Sequence, residues 1–234
     1  MVPELPALRR TRRVNIPGLA GRFLPHIATI DAQVEPYAQA WDLHNAGELA
    51  EAMLDEAPVW VALGDSSTQG IGADAWNQGW VHTVQDRLRT LTGEPWRVVN
   101  LAMSGGRFLD VLDQQLPVLD NLLPAPDLVT CIIGSNDMMW RRGMEPALTE
   151  ATRVAEALPE GTLLSLLGGP GKRPRAVNSM FSRVGKERGM DLFSVWDWPG
   201  ASGALAVDRI HPSNLGYDYM ADLVWDALRP RFAT

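Results

Sequence analysis

Short apolar runs rich in Val, Leu and Ile recur along the chain at positions 59–64, 97–102, 127–134, 162–167 and 191–196. Runs of that length bounded by turn-forming residues read as buried strands. Between them, apolar residues return at helical spacing. Val81, Val84, Leu88 and Leu91 form one such set, and Leu109, Leu112, Leu116 and Leu119 a second, in which Pro117 is expected to kink or end the helix. Positions 147–158, the group Val177, Met180, Phe181 and Val184, and positions 214–228 give three more. Strands alternating with helices predict an α/β fold: a three-layer α/β/α sandwich around a five-stranded parallel sheet, joined by right-handed crossovers. Ahead of the first strand, Leu43, Ala46, Leu49, Ala50, Met53 and Leu54 predict a helix over 40–56 that covers one sheet face. Positions 1–37 carry little periodicity and four prolines before Pro36, so they read as an extended arm lying on the domain. The expected organisation is an arm and helix over 1–57 and a catalytic domain over 58–234.

Composition narrows the class. The chain has 234 residues, 46% hydrophobic and 21% charged, which suits one soluble globular domain with a sizeable core. A net charge of −7 argues against broad affinity for nucleic acid. Arg9, Arg10, Arg12 and Arg13 read as a solvated tail, with docking to a membrane surface or partner as the alternative. Beyond these arginines, Asn15, Pro17, Gly18, Gly21 and Arg22 break up the apolar positions, so no secretory signal is expected, and no apolar stretch is long enough for a bilayer. A cytoplasmic location is the default expectation. Cys131, alone and inside the third apolar run, reads as a small buried hydrophobe. No His/Cys cluster has metal-ligand spacing, so neither metal nor cofactor is implied.

The chemistry concentrates where the first strand stops, in Val59-Trp60-Val61-Ala62-Leu63-Gly64-Asp65-Ser66-Ser67-Thr68-Gln69-Gly70. The C-terminal edge of a parallel sheet is where ligands bind, which puts Ser66 at the mouth. Taken alone, that serine reads better as a helix cap. Three other stretches accompany it: Asn100 to Gly105 after the second run, Gly134-Ser135-Asn136-Asp137 after the third, and Asp208-Arg209-Ile210-His211-Pro212 before the last helix. Together, and in this order, they resemble the SGNH (GDSL-type) hydrolase superfamily, from Val59 to about Arg229. The resemblance implies the flavodoxin-like SGNH fold. It makes Ser66 the nucleophile, Ser66, Gly105 and Asn136 the oxyanion-hole donors, and Asp208 and His211 the acid and base. One departure is Ser67-Thr68 after the nucleophile, where the most familiar members have Leu and then Ser or Thr.

The residues themselves are consistent with that chemistry. A serine hydroxyl needs a base to take its proton. Of four histidines, His26 lies in the arm, and His44 and His82 lie on expected helices, His82 as a half-buried, hydrogen-bonded side chain. Only His211 stands in a loop with a carboxylate, Asp208, three residues upstream, close enough to hold its tautomer. A turn capping the last helix is the structural alternative for this pair, and a helix cap is the alternative for Asn136. Gly106 competes with Gly105 as the donor. Trp76, Trp80, Trp140, Trp196 and Trp198 fall in or near the mouth loops, where they either line an acyl pocket, stack on a sugar, or simply pack. Lys172, Arg173 and Arg175 follow the fourth strand and suit an anionic group such as a coenzyme A phosphate or an acidic sugar.

The family's members share an acyl-enzyme step, so the expected partner is a small acyl ester or acyl-CoA donor. Hydrolysis is the simplest outcome. A cytoplasmic member with an N-terminal extension is also similar to the subgroup containing diglucosylglycerate octanoyltransferase, which implies transfer of an octanoyl or similar acyl group to a sugar hydroxyl as an alternative. A non-catalytic binding protein on the same fold is the third reading.

Overall fold

The computed structural model describes residues 10–11, 25–139, 143–197 and 201–232. Each of the five apolar runs forms a strand: β1 (Val59–Gly64), β2 (Arg97–Asn100), β3 (Leu128–Ile132), β4 (Leu163–Leu166) and β5 (Asp191–Ser194). They pair in parallel in the order β2-β1-β3-β4-β5. The chain leaves β1 for β2 on one side and later lays β3 on the other. The loops after β1 and β3 therefore diverge and open a crevice at the carboxyl edge.

Nine α-helical segments accompany the sheet among the described residues: α1 (Pro25–Asp55), α2 (Ser66–Gln69), α3 (Trp80–Thr92), α4 (Phe108–Asp110), α5 (Leu116–Leu119), α6 (Ser135–Met139), α7 (Met144–Ala157), α8 (Lys172–Glu187) and α9 (Asn214–Leu228). Side chains alternate across the pleat. Val59, Val61 and Leu63 pack with Leu49, Val154 and Phe181 from α1, α7 and α8, while Trp60 and Ala62 pack with Trp80 and Val84 of α3 and Tyr217 and Val224 of α9. These are the three layers expected. Cys131 lies within the first of these cores, buried and free, and burial raises its thiol pKa well above the ordinary value.

Helix α1 differs from expectation in two ways. It begins at Pro25 rather than near Ala40, with Pro36 inside it. Its buried face is Ile30, Tyr37, Ala38, Trp41, Asn45, Leu49 and Ala52, whereas Leu43 and Leu54 of the expected face are 78% and 86% exposed. The reason is that α1 runs beside β2, the edge of the sheet, and satisfies that strand's polar backbone. Asn45 accepts from Asn100 N–H at 2.9 Å and donates to its carbonyl at 2.8 Å, and Glu48 accepts from Val98 N–H at 2.9 Å. An unpaired strand edge invites association, and covering it with a helix removes the hazard. The face that matters is thus partly polar, and apolar periodicity misses it.

The helix expected over 109–119 is interrupted. A π turn over Val111–Gln115 joins α4 to α5, and the Leu116 N–H reaches back to the Val111 carbonyl. Pro117 lacks an N–H, and its ring would strike a carbonyl in a regular turn, so a wider turn relieves the conflict. The same turn carries Gln115 into the core. Its amide donates to the Gly64 carbonyl at 2.8 Å and accepts the Gly64 N–H at 2.9 Å, clamping the last residue of β1. Gly64 itself has no room for a side chain, because a Cβ there would sit 2.6 Å from the Ile132 carbonyl and against Thr68 Oγ1. Gly64→Ala is expected to lower the unfolding free energy by about 1–3 kcal/mol, measured by urea denaturation.

Candidate active site

Immediately after β1, Asp65 caps α2: its Oδ1 accepts from Ser67 N–H at 3.0 Å and from Ser67 Oγ–H at 2.8 Å. The unusual Ser67 is therefore occupied in the turn. Burial pushes the Asp65 pKa up, against the pull of those two bonds and of nearby His211. Ser66 opens the helix, so its own N–H belongs to the first turn, whose donors have no intrahelical partner.

The loop before α9 brings His211 to that serine. His211 Nε2 lies 3.0 Å from Ser66 Oγ, and Asp208 Oδ2 lies 2.6 Å from His211 Nδ1. The other oxygen of Asp208, Oδ1, accepts from the N–H groups of Ile210 and His211 at 3.0 and 3.1 Å. Between them, Arg209 adopts a left-handed conformation, φ 58°, which lets one carboxylate close this short loop. The Asp208 side chain is 3% exposed and that of His211 is 22% exposed. Burial opposes charge on Asp208, but the bonds from His211 and the two backbone donors outweigh it and hold its pKa below the usual carboxylate value. The alternative role as a helix cap is taken by Ser213, whose hydroxyl accepts from Gly216 N–H.

His211 is supported from behind. Gly72 lies against it, at φ 103°, and a Cβ there would come 2.8 Å from His211 Cβ. The Gly72 segment is in turn held by α1: Gln33 accepts from Gly72 N–H at 2.8 Å, and Gln33 and Tyr37 donate to the Ala73 carbonyl at 3.0 and 2.8 Å.

The loops after β2 and β3 meet on the other side. Asn136 Nδ2 donates to the Gly106 carbonyl at 2.9 Å, which orients its amide and occupies one of its two N–H groups. The Gly106 N–H is spent on the Met103 carbonyl at 2.8 Å. That leaves Gly105, at φ 72°, as the glycine of this pair whose N–H is not committed to the turn. Phe108 N–H bonds to Asp137 Oδ2 at 3.0 Å, which ties the two loops together.

Several expected side chains have other surroundings. Trp80 is fully buried beside Trp60, with ring centroids 5.7 Å apart. Trp76 packs edge-on against Trp41 at 5.3 Å. Both are explained by packing. Trp196 backs onto Gly168, where a Cβ would collide with its ring. Trp140 and Trp198 lie outside the described residues. His82 is half-buried as expected, but it and His44 sit in ring contacts rather than the hydrogen bonds expected for His82. His82 stacks on Trp41 at 4.7 Å, and burial lowers its pKa to about 3. Among the described residues, neither nitrogen of His82 nor His44 Nε2 has a hydrogen-bond partner. Lys172 and Arg175 are exposed at the start of α8, and Arg173 approaches the Gly143 carbonyl at 3.4 Å. Among the described residues no group of three or more His, Cys, Asp or Glu is placed to hold a metal, and no helix is long and apolar enough to cross a membrane.

A β2-β1-β3-β4-β5 sheet that carries serine after β1, glycine after β2, asparagine after β3 and Asp-x-x-His before the last helix defines a hydrolase of the SGNH class. The chain belongs to the GDSL-like lipase/acylhydrolase family, whose pattern matches residues 62–219. Among solved structures it is similar to TesA, with 26% identity, a TM-score of 0.62, and coverage of 74% of this chain and 98% of that one. It shares its fold with the psychrotrophic esterase EstA from Pseudoalteromonas sp. (22% identity, TM-score 0.61, covering 75% and 99%). The same holds for a family 3 carbohydrate esterase from Clostridium thermocellum (14%, TM-score 0.58, covering 75% and 96%). No curated protein sequence matches it.

Proposed function

We propose that the protein is an esterase that cleaves carboxylic esters through an acyl-enzyme on Ser66. The observation that carries this reading is the continuous line Ser66 Oγ, His211 Nε2, His211 Nδ1, Asp208 Oδ2, with both links at hydrogen-bond length. His211 takes the Ser66 proton as Oγ attacks the ester carbonyl carbon, and Asp208 keeps the ring proton on Nδ1 so that Nε2 is free to accept. The oxyanion that forms is met by the N–H groups of Ser66 and Gly105 and by the second N–H of Asn136. Collapse expels the alcohol, protonated by His211. A water, activated by the same ring, then releases the acid and restores Ser66.

Exposed apolar side chains neighbour the site residues along the chain. Leu205, Val207 and Ile210 surround Asp208 on its loop, and Met139 and Met144 follow Asn136, each 42–58% exposed. Exposed apolar residues on the loops that carry Asp208 and Asn136 suit an acyl chain better than a charged acid. The cationic start of α8 suits a donor with phosphates, and on that donor a sugar hydroxyl would take the place of water as acceptor.

The test is product analysis on purified enzyme with 4-nitrophenyl esters of increasing chain length and with octanoyl-coenzyme A, each with and without a glucosylglycerate acceptor. Free acid from the esters in water alone is the expected result. An acyl-sugar formed at the expense of free acid makes it a transferase, and no turnover of either donor removes the reading. Asn136→Ala is expected to lower kcat about 10²–10³-fold with little change in KM, because its donor is used most in the transition state.

A further inference from the structure

Resting on the hydrolase reading above, we propose that Arg10, which precedes the family segment, is a positioning residue that sets the spacing of the oxyanion donors. The arginines of the N-terminal stretch read as a solvated tail, and Arg9, Arg12 and Arg13 lie outside the described residues. Arg10 is different: it is 6% exposed. Its Nε donates to Asp42 Oδ1 of α1 at 2.6 Å and one terminal nitrogen to the Asn100 carbonyl at the end of β2 at 2.5 Å. The other terminal nitrogen is buried with no hydrogen-bond partner among the described residues.

The guanidinium thereby pins its own backbone against the active-site floor. The Arg10 carbonyl accepts from the Ser104 N–H at 3.0 Å, and Thr11 forms a parallel bridge with Ser104. The same carbonyl accepts from Gln69 Nε2 at 3.2 Å, and Gln69 Nε2 also reaches the Ala102 carbonyl at 3.0 Å. Ser104 immediately precedes Gly105, and Gln69 ends the short helix that Ser66 begins. One oxygen thus links Ser104, the residue before one backbone donor, to the helix that presents the other.

Within the catalytic domain, the oxyanion loop is held at Met103 and Gly106. The Met103 N–H bonds the Gly64 carbonyl at 3.1 Å and the Gly106 N–H bonds the Met103 carbonyl. Ser104, between them, takes its backbone bond from Arg10. Without that acceptor, Ser104 and Gly105 cross from Met103 to Gly106 with no backbone bond of their own among the described residues. A burial of this kind is costly for an arginine whose ion-pair partner is itself 55% exposed, which fits a residue retained for placement rather than for stability.

The experiment is steady-state hydrolysis of a 4-nitrophenyl ester by the full chain and by Arg10→Ala and Arg10→Lys. Each rate is normalised to active sites titrated with a fluorophosphonate, with amide hydrogen exchange read at Ser104. For Arg10→Ala the expected result is a kcat about 10–100-fold lower with KM within twofold, since a small displacement of a donor costs rate rather than binding. Exchange at Ser104 rises with it. Arg10→Lys, which keeps a charge and reaches one partner, loses less, and it carries the test if the alanine variant does not fold. Normal kcat per active site in the folded variant overturns the proposal while leaving the hydrolase reading standing. Wild type without Ser66-dependent turnover overturns both.

Discussion

Ser66→Ala is expected to lower kcat for an ester substrate by about four to six orders of magnitude, down to the level that substrate binding and the oxyanion donors sustain alone. The fold should persist. Among the described residues, the Ser66 hydroxyl bonds to His211, whose side chain is 22% exposed and able to bond water instead. The measurement is kcat and KM for the variant beside its thermal unfolding curve. A variant that folds, binds substrate with near-normal KM and does not turn over places the loss in chemistry.

Asp208→Asn is the second large effect, and its sign comes from geometry. Asp208 Oδ1 accepts two backbone N–H groups, so an asparagine must keep its oxygen there and turn its NH₂ toward His211 Nδ1. That nitrogen must then accept, which moves the ring proton to Nε2, facing Ser66 Oγ, where a base is needed. The expected loss is about 10³–10⁴-fold in kcat. The substitution also changes the pH dependence of stability. The Asp208 pKa is depressed in the folded state, so the pair's contribution is present in full above the ordinary carboxylate pKa and disappears as pH falls through the depressed value. Thermal unfolding measured from neutral to acid pH should therefore fall less steeply in Asp208→Asn than in wild type.

The sheet was legible because its strands are short, continuously apolar and buried on both faces, as β1 is over all six of its residues. Ser66, His211 and Asp208 could be singled out as candidates because four blocks in order resemble one family, and the structure brings the three side chains within hydrogen-bond reach. What escaped is what polar side chains do to backbone. Asn45 and Glu48 make α1 a cover for the edge of β2, so its inward face does not look apolar, and Leu43 and Leu54 point away from the protein. Gln115 is buried as an amide clamp on Gly64, and only the conflict at Pro117 hints at the turn that carries it there. Trp76 and Trp80 invite a ligand reading from their place in the chain, yet both belong to aromatic packing. That the Gly106 N–H is spent on the Met103 carbonyl, which bears on whether Gly105 or Gly106 is the candidate donor, is announced by no local motif.

An esterase of this kind must carry a covalent acyl group on Ser66, and mass analysis tests that most directly. Wild type is mixed with 4-nitrophenyl octanoate, quenched in acid within the first turnover, and measured intact and after proteolysis, with Ser66→Ala treated in parallel. The expected result is an octanoyl adduct on the peptide that contains Ser66, absent from the variant and lost on incubation before the quench. Ester turnover with no adduct on that peptide, or an adduct that survives Ser66→Ala, would contradict the acyl-enzyme mechanism.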